Sequence, residues 1–181
     1  IMNTSCPICR QTDFRSMKLE DAHVLFCTHC SHAFSENIKE TPEEIYSMEE
    51  YLTVHENWFS NPNLDFFESV RMYISKHFDT SVPVIDLGSG DGALLKYLDD
   101  HNFTDLTGVD LFDISHERIK IIKANLLDFK DHDRKYQVIV STGTLEHLED
   151  PNEFMTLIDS LALDNAVIII MTIDMHCLIY K

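Results

Sequence analysis

Two Cys-x-x-Cys pairs, Cys6-Pro-Ile-Cys9 and Cys27-Thr-His-Cys30, stand near the start of the 181-residue chain. Thiolates are soft ligands, and a two-residue gap lets both sulfurs of one tight knuckle face a single ion. Two knuckles complete a tetrahedral four-sulfur shell with no open position, so the spacing predicts a structural zinc site rather than a catalytic one. A segment of about 35 residues with few large apolar side chains would hardly fold without that ion. Disulfides or a redox Cys-x-x-Cys pair are the competing readings, and the lack of a secretion signal disfavours them. His29 and His32 crowd the second knuckle, but four cysteines already suffice and both histidines are expected to be bystanders. A RING module is excluded, because its cross-brace needs about eight ligands. Cys177 stands alone among apolar residues and is expected to be a small buried side chain.

The second concentration of chemistry-bearing residues is Asp86-Leu-Gly88-Ser-Gly90-Asp-Gly92, at the end of an apolar run and before a helical one. Glycines here allow a tight turn and let a ligand approach bare backbone. Gly88-x-Gly90-x-x-Ala93 also satisfies the loose dinucleotide fingerprint, and Asp110 could hold a ribose in either case. Charge separates the two ligands. A pyrophosphate on this turn would be repelled by Asp86 and Asp91 across a few ångströms, whereas a ligand carrying a sulfonium and an amino group would be attracted. S-adenosylmethionine is such a ligand.

These residues need rigid elements behind them. From residue 81 the apolar runs 82–87, 106–109, 119–124, 138–140 and 166–173 alternate with helical stretches at 93–98 and 154–161. Short, wholly apolar runs separated by amphipathic ones predict a doubly wound α/β domain around a mostly parallel sheet. Only Leu111 to Lys120 separates the second and third strands, too little for a full crossover helix, so a loop or single turn is expected there. The chain stops barely past its fifth strand, so the domain is expected to lack C-terminal strands and to leave one sheet edge for a partner. Before it, Thr41-Pro42-Glu43-Glu44 predicts one helix start, and Asn61-Pro62-Asn63 opens a second helix running to about His77. Tyr46, Tyr51, Trp58 and Phe59 form an aromatic patch, read either as packing between these helices and the next domain or as a lid over a ligand pocket.

The composition is that of a folded globular protein, with 44% hydrophobic and 25% charged residues. Its 31 acidic residues against 14 basic ones give a formal charge of −17, which makes nucleic acid a poor partner. The longest apolar run, Ala166 to Met171, is far below the roughly 20 residues of a membrane span, and the expected location is the cytoplasm.

Over roughly residues 82 to 173 the sequence resembles the class I methyltransferase family. Val84-Ile-Asp86-Leu-Gly88-Ser-Gly90-Asp-Gly92 is similar to its first motif, whose glycine backbone cradles the methionine and ribose portions of S-adenosylmethionine and whose leading acid lies near the amino group. Gly108-Val109-Asp110 is similar to the second motif, which implies that Asp110 accepts both ribose hydroxyls and that Leu111 packs on adenine. Ala124-Asn125-Leu126-Leu127-Asp128-Phe129 resembles the segment after the third strand. It places Asn125 where an acid usually takes the adenine amino group, with the Leu126 amide next to the ring. Asn125 as an ordinary turn residue is the alternative. The run from Tyr136 to Pro151, with Leu145-Glu146-His147, resembles the fourth-strand motif although Gln137 replaces an acid. Ser141 and Thr142 are thereby expected to line the methionine end of the pocket.

The four-cysteine module implies a subgroup that methylates nucleotide-linked sugars. The chain then divides into a zinc-binding module at 1–38, a helical linker or lid at 39–80 and an S-adenosylmethionine-binding Rossmann-like domain at 81–181. The expected reaction is in-line methyl transfer to a small molecule, with His147 as the candidate base and Glu146 orienting it or the substrate. A catalytically silent cofactor-binding or assembly module and an NAD(P)-dependent oxidoreductase are the alternatives. Packing of His147 at its turn, without a catalytic role, also stays open.

Overall fold

Hydrogen bonding of the cysteine segment is local and antiparallel, whereas the rest of the chain pairs in parallel. The computed structural model describes residues 4–18, 23–35, 53, 56–111, 119–129 and 133–174, without the side chains of Trp58 and Phe59. The expected helix start at Thr41, Tyr46, Tyr51, most of the Leu111 to Lys120 connection and Cys177 lie outside these residues.

Strands β1 (Phe14–Lys18), β2 (His23–Cys27) and β3 (Ala33–Ser35) form the first sheet, in the order β1-β2-β3, with Phe14 opposite Cys27 and Phe26 opposite Ala33. Only Cys6, Leu25 and Cys27 among its described apolar residues are fully buried. Such a core is far too small to carry a fold by itself.

Next come α1 (Glu56–Ser60) and α2 (Leu64–His77). The Asn63 side chain caps α2 by accepting a hydrogen bond from the Phe66 amide at 3.0 Å. Strand β4 (Val84–Leu87) leads through the glycine turn into α3 (Ala93–Asp100), followed by β5 (Leu106–Asp110), β6 (Lys120–Lys123) and β7 (Tyr136–Thr142). A single 3-10 turn at Leu145–His147 precedes α4 (Pro151–Leu161), which runs without a loop into β8 (Ala162–Met171).

The five strands lie in the order β6-β5-β4-β7-β8 and every pairing is parallel. A parallel sheet buries both faces, and here each face has its own apolar cluster. On one side Val70 and Ile74 of α2 and Leu94, Leu95 and Leu98 of α3 meet Val84, Val138 and Val140. On the other, Phe154, Leu157, Ile158 and Leu161 of α4 meet Ile85, Leu87, Val109 and Ile139. The doubly wound α/β expectation therefore holds. Helix α2 is a covering layer of that sheet.

Two details depart from the pattern of apolar runs. Strand β8 begins at Ala162, not at Ala166, because the polar stretch Asp164-Asn165 is carried in the strand on an irregular register, with Asn165 at φ 63°. Leu64, Met72 and Tyr73, apolar positions of α2, face outward. Beyond β8 no neighbouring strand is present among the described residues, and Ile168 is left exposed. No helix among the described residues is long and apolar enough to cross a membrane.

Candidate functional site

Because all strands of the second sheet run the same way, the turns after β4, β5, β6 and β7 gather at its carboxyl edge, where ligands of open α/β sheets bind. A cavity of about 590 Å³ opens there. It is lined by Asp86, Gly88, Ser89 and Gly90 from the first turn, Asp110 and Leu111 from the second, Asn125 and Leu126 from the third, and Thr142, Glu146 and His147 from the fourth. Eleven of the residues singled out in the sequence thus share one wall system. Gly92 and Ser141 are not on it.

Gly92 instead starts α3 at φ 75°, with no room to spare beside Ile121. Ser141 is a correction to the expected lining: it is 1% exposed, and its hydroxyl donates to the Leu87 carbonyl at 2.8 Å. Along a strand, successive side chains alternate between faces, so Thr142 reaches the cavity while Ser141 ties β7 to β4.

Gly88, at φ 80°, shows why the first turn needs glycine. A Cβ there would lie 2.1 Å from the Thr144 hydroxyl oxygen. Thr144 in turn donates to the Leu87 carbonyl at 3.3 Å. Gly88→Ala is expected to cost about 2 to 4 kcal/mol, summing the left-handed backbone and the overlap. Urea denaturation of the ligand-free chain measures it; a change below the error of the method would mean that the turn relaxes freely.

The buried titratable groups at the site are two carboxyls. Asp86 is 2% exposed, and its Oδ1 has no hydrogen-bond partner among the described residues. Burial, and then the neighbouring Asp110, push its carboxyl up to about 7 from an ordinary 3.8. Asp110 at the end of β5 is 6% exposed and accepts a hydrogen bond from the Gly90 amide at 2.8 Å, fixing the glycine turn against the second strand.

A pH dependence follows. A proton held more tightly in the folded state stabilises that state fully below the unfolded pKa, and the gain is lost as pH rises through the folded one. Ligand-free protein should therefore lose stability between about pH 4 and 7 through Asp86, on the order of 4 kcal/mol. In Asp86→Asn this component of the slope of melting temperature against pH should vanish, and equal slopes for the two proteins would refute it.

Asn125 accepts a hydrogen bond from the Leu127 amide at 3.1 Å through its Oδ1, which is the side-chain turn that Asn favours, and it also lies on the cavity wall. Glu146 and His147 are at the cavity rim, and Glu146 accepts a hydrogen bond from the Thr172 hydroxyl at 2.8 Å. Sequence reading missed the opposite wall: Asn57, Asn61 and Asn63 with Phe66 and Phe67 of α2, and Met171 and Ile173 at the end of β8. Its signals are Asn61-Pro62-Asn63, which reads as a helix start, and the lid reading of residues 39–80, which names no residue of this wall.

The cysteines meet as their spacing predicts. All four Sγ atoms lie within 4.8 Å of one another, with Cys6 and Cys30 at 3.6 Å and Cys9 and Cys27 at 3.5 Å. A disulfide needs about 2.05 Å, whereas Zn–S bonds of about 2.3 Å in a tetrahedron hold sulfurs about 3.8 Å apart. The donor set and spacing fit a four-sulfur metal ion. His32 stacks on Phe34 and His29 is exposed, and neither belongs to the cluster. The first knuckle also reaches the start of α4. Arg10 donates to Asp150 at 3.0 Å, and the Asn152 side-chain amide donates to the Pro7 carbonyl. Burial would raise the Asp150 carboxyl, but Arg10 and the Asn152 and Glu153 amides outweigh it and hold it below the usual range.

A family model described as a methyltransferase domain matches residues 64–180. The chain belongs to this methyltransferase-domain family. Solved structures agree on the fold of the methyltransferase domain. The plantazolicin methyltransferase BpumL in complex with SAH is 21% identical, with a TM-score of 0.51 over 68% of this chain and 60% of its own. BpumL in complex with a monoazolic desmethylPZN analog and SAH gives 20% and 0.52 over 67% and 57%. A protein assigned as a methyltransferase of an antibiotic biosynthesis pathway in Anabaena variabilis gives 12% and 0.54 over 63% and 47%. This methyltransferase-domain chain thus spans about half to three fifths of the length of those proteins.

Proposed function

We propose that the chain binds S-adenosylmethionine at the carboxyl edge of its parallel sheet and transfers the methyl group in line to a small-molecule acceptor. The observation that carries this reading is Asp86, a buried carboxyl group on the cavity wall with one oxygen that has no hydrogen-bond partner among the described residues. An ammonium group would complete it, and a diphosphate would not. The bound cofactor supplies a carbon already activated by its sulfonium.

The protein's part is to align and to dry the site. Asp86 receives the amino group, the turn from Gly88 to Gly90 lies under the methionine and ribose portions, and Asp110 accepts from the ribose hydroxyls while still holding the Gly90 amide. Leu111, Asn125 and Leu126 line the cavity where the adenine would sit, and Thr142 lines the methionine end. His147 at the rim takes a proton from an acceptor that has one to lose, and Glu146 orients the acceptor beside it.

For the acceptor, the four-cysteine module implies a nucleotide-linked sugar. No lysine or arginine lines the cavity among the described residues, so a diphosphate of such a substrate would have to lie outside it. Zinc is the ion we assign to the cysteine cluster, and the division into 1–38, 39–80 and 81–181 belongs to the same proposal.

Thermal shift with S-adenosylmethionine, S-adenosylhomocysteine and NAD tests the cofactor, since a ligand selecting the folded state raises its melting temperature. The two adenosyl ligands should stabilise the chain and NAD should not; the reverse pattern would replace this reading by an oxidoreductase. Binding without turnover on any offered acceptor would point to a silent cofactor-binding module.

A further inference from the structure

The metal knuckle and the cavity rim meet at one helix end. Asp150 caps α4 by accepting from the Asn152 amide at 2.8 Å and the Glu153 amide at 3.4 Å through Oδ1, while its Oδ2 receives Arg10, the residue directly after Cys9. Asn152 reaches back from the same helix turn to the carbonyl of Pro7, between Cys6 and Cys9. Just before Asp150 in the chain lie Glu146, His147 and Leu148, all on the cavity wall. Both sides of the knuckle therefore hold the helix start that directly follows the turn carrying the candidate base.

We infer that Arg10 and Asn152 are positioning residues, a latch through which an ion in the cysteine cluster sets the helix cap at Asp150 and, behind it, the rim turn 145–148. Two features support a coupling rather than a casual contact. The Pro7 carbonyl and the Arg10 backbone sit inside a knuckle closed by the Arg10 amide on the Cys6 carbonyl at 2.9 Å, so their positions depend on the sulfurs being gathered. The partners are the cap acceptor itself and the first turn of α4, the part of a helix most sensitive to capping. A lone exposed ion pair contributes little. Joined to a second hydrogen bond on the same turn and to a metal-fixed loop, it shares its ordering cost.

The inference rests on the proposed cofactor site only for its second readout. Hydrogen exchange on the full chain, zinc-loaded and then chelated, reads the first. Chelation should speed exchange of the Asn152 and Glu153 amides about tenfold in the unaltered protein. In Arg10→Ala with Asn152→Asp those amides should already be fast with zinc bound, and chelation should add nothing. Asn152→Asp keeps a residue that favours a helix start while deleting the donor to Pro7, so the variant separates latch loss from helix loss. Arg10→Lys should restore most of the zinc dependence.

By linkage, S-adenosylhomocysteine affinity should fall about fivefold on chelation in the unaltered chain and be insensitive to chelation in the double variant. Unchanged exchange at 152–153 on chelation, or a double variant that still responds to it, would overturn the latch. Failure of S-adenosylhomocysteine to bind at all would instead overturn the cofactor reading and leave the exchange result to decide the latch.

Discussion

Asp110→Ala should lower S-adenosylhomocysteine affinity at least about a hundredfold, measured by calorimetry. Two losses coincide at this residue. The carboxylate proposed to accept from the ribose hydroxyls disappears, and so does the acceptor for the Gly90 amide, which holds the glycine turn at 2.8 Å. Hydrogen bonds to charged groups are worth about 1.5 to 3 kcal/mol each, so losing two exceeds the roughly 2.7 kcal/mol of a hundredfold change. Asp110→Asn keeps the shape and one acceptor oxygen and should fall between. An alanine variant within threefold of the unaltered protein would remove the ribose assignment, and with it the main support for reading the second turn as a cofactor contact.

Cys27→Ala, or removal of zinc by a chelator, should unfold residues 4–35 while leaving the larger sheet intact. The first sheet buries Leu25, Cys6 and Cys27 and no other described apolar residue fully, and two of those three belong to the cysteine cluster proposed to hold the ion. Structural zinc in small modules contributes about 10 to 16 kcal/mol at neutral pH, more than such a core could replace. Limited proteolysis should show cleavage between β1 and β3 only in the metal-free protein, and metal analysis should give one zinc per native chain and none in the variant. A cysteine variant with native protection of β1 to β3 would show that the fold does not depend on the ion.

Those parts of the site that are neighbours along the chain can be read from residue types alone. Asp86, Gly88 and Gly90 form one turn, and their chemistry follows from their side chains, or the lack of one. Asp110 is 20 positions after Gly90, yet its place at the end of an apolar strand is enough to find it. Ser141, placed on the cavity by resemblance to the fourth-strand motif, is not on its wall, because strand parity is invisible until pairing fixes which face is which; its hydroxyl donates to the Leu87 carbonyl. The individual residues of the opposite wall, from Asn57 to Phe67, stay hidden because composition changes at residue 81 and α2 reads as part of a linker or lid at 39–80, although Val70 and Ile74 lie in the core of the sheet. Strand β8 begins four residues earlier than its apolar run because Asp164 and Asn165 are carried exposed on an irregular register. Arg10 and Asp150 cannot be paired from the sequence at all, since nothing local marks either residue for the other.

That last pairing bridges 140 positions of chain and thereby orders events on the ribosome. Translation adds about 5 to 20 residues per second, so the cysteine knuckles leave the exit tunnel on the order of ten seconds ahead of Asp150. Any ion gathered by the cysteines in that interval would be held without help from α4, and the contact could act only afterwards, on how long such an ion is retained.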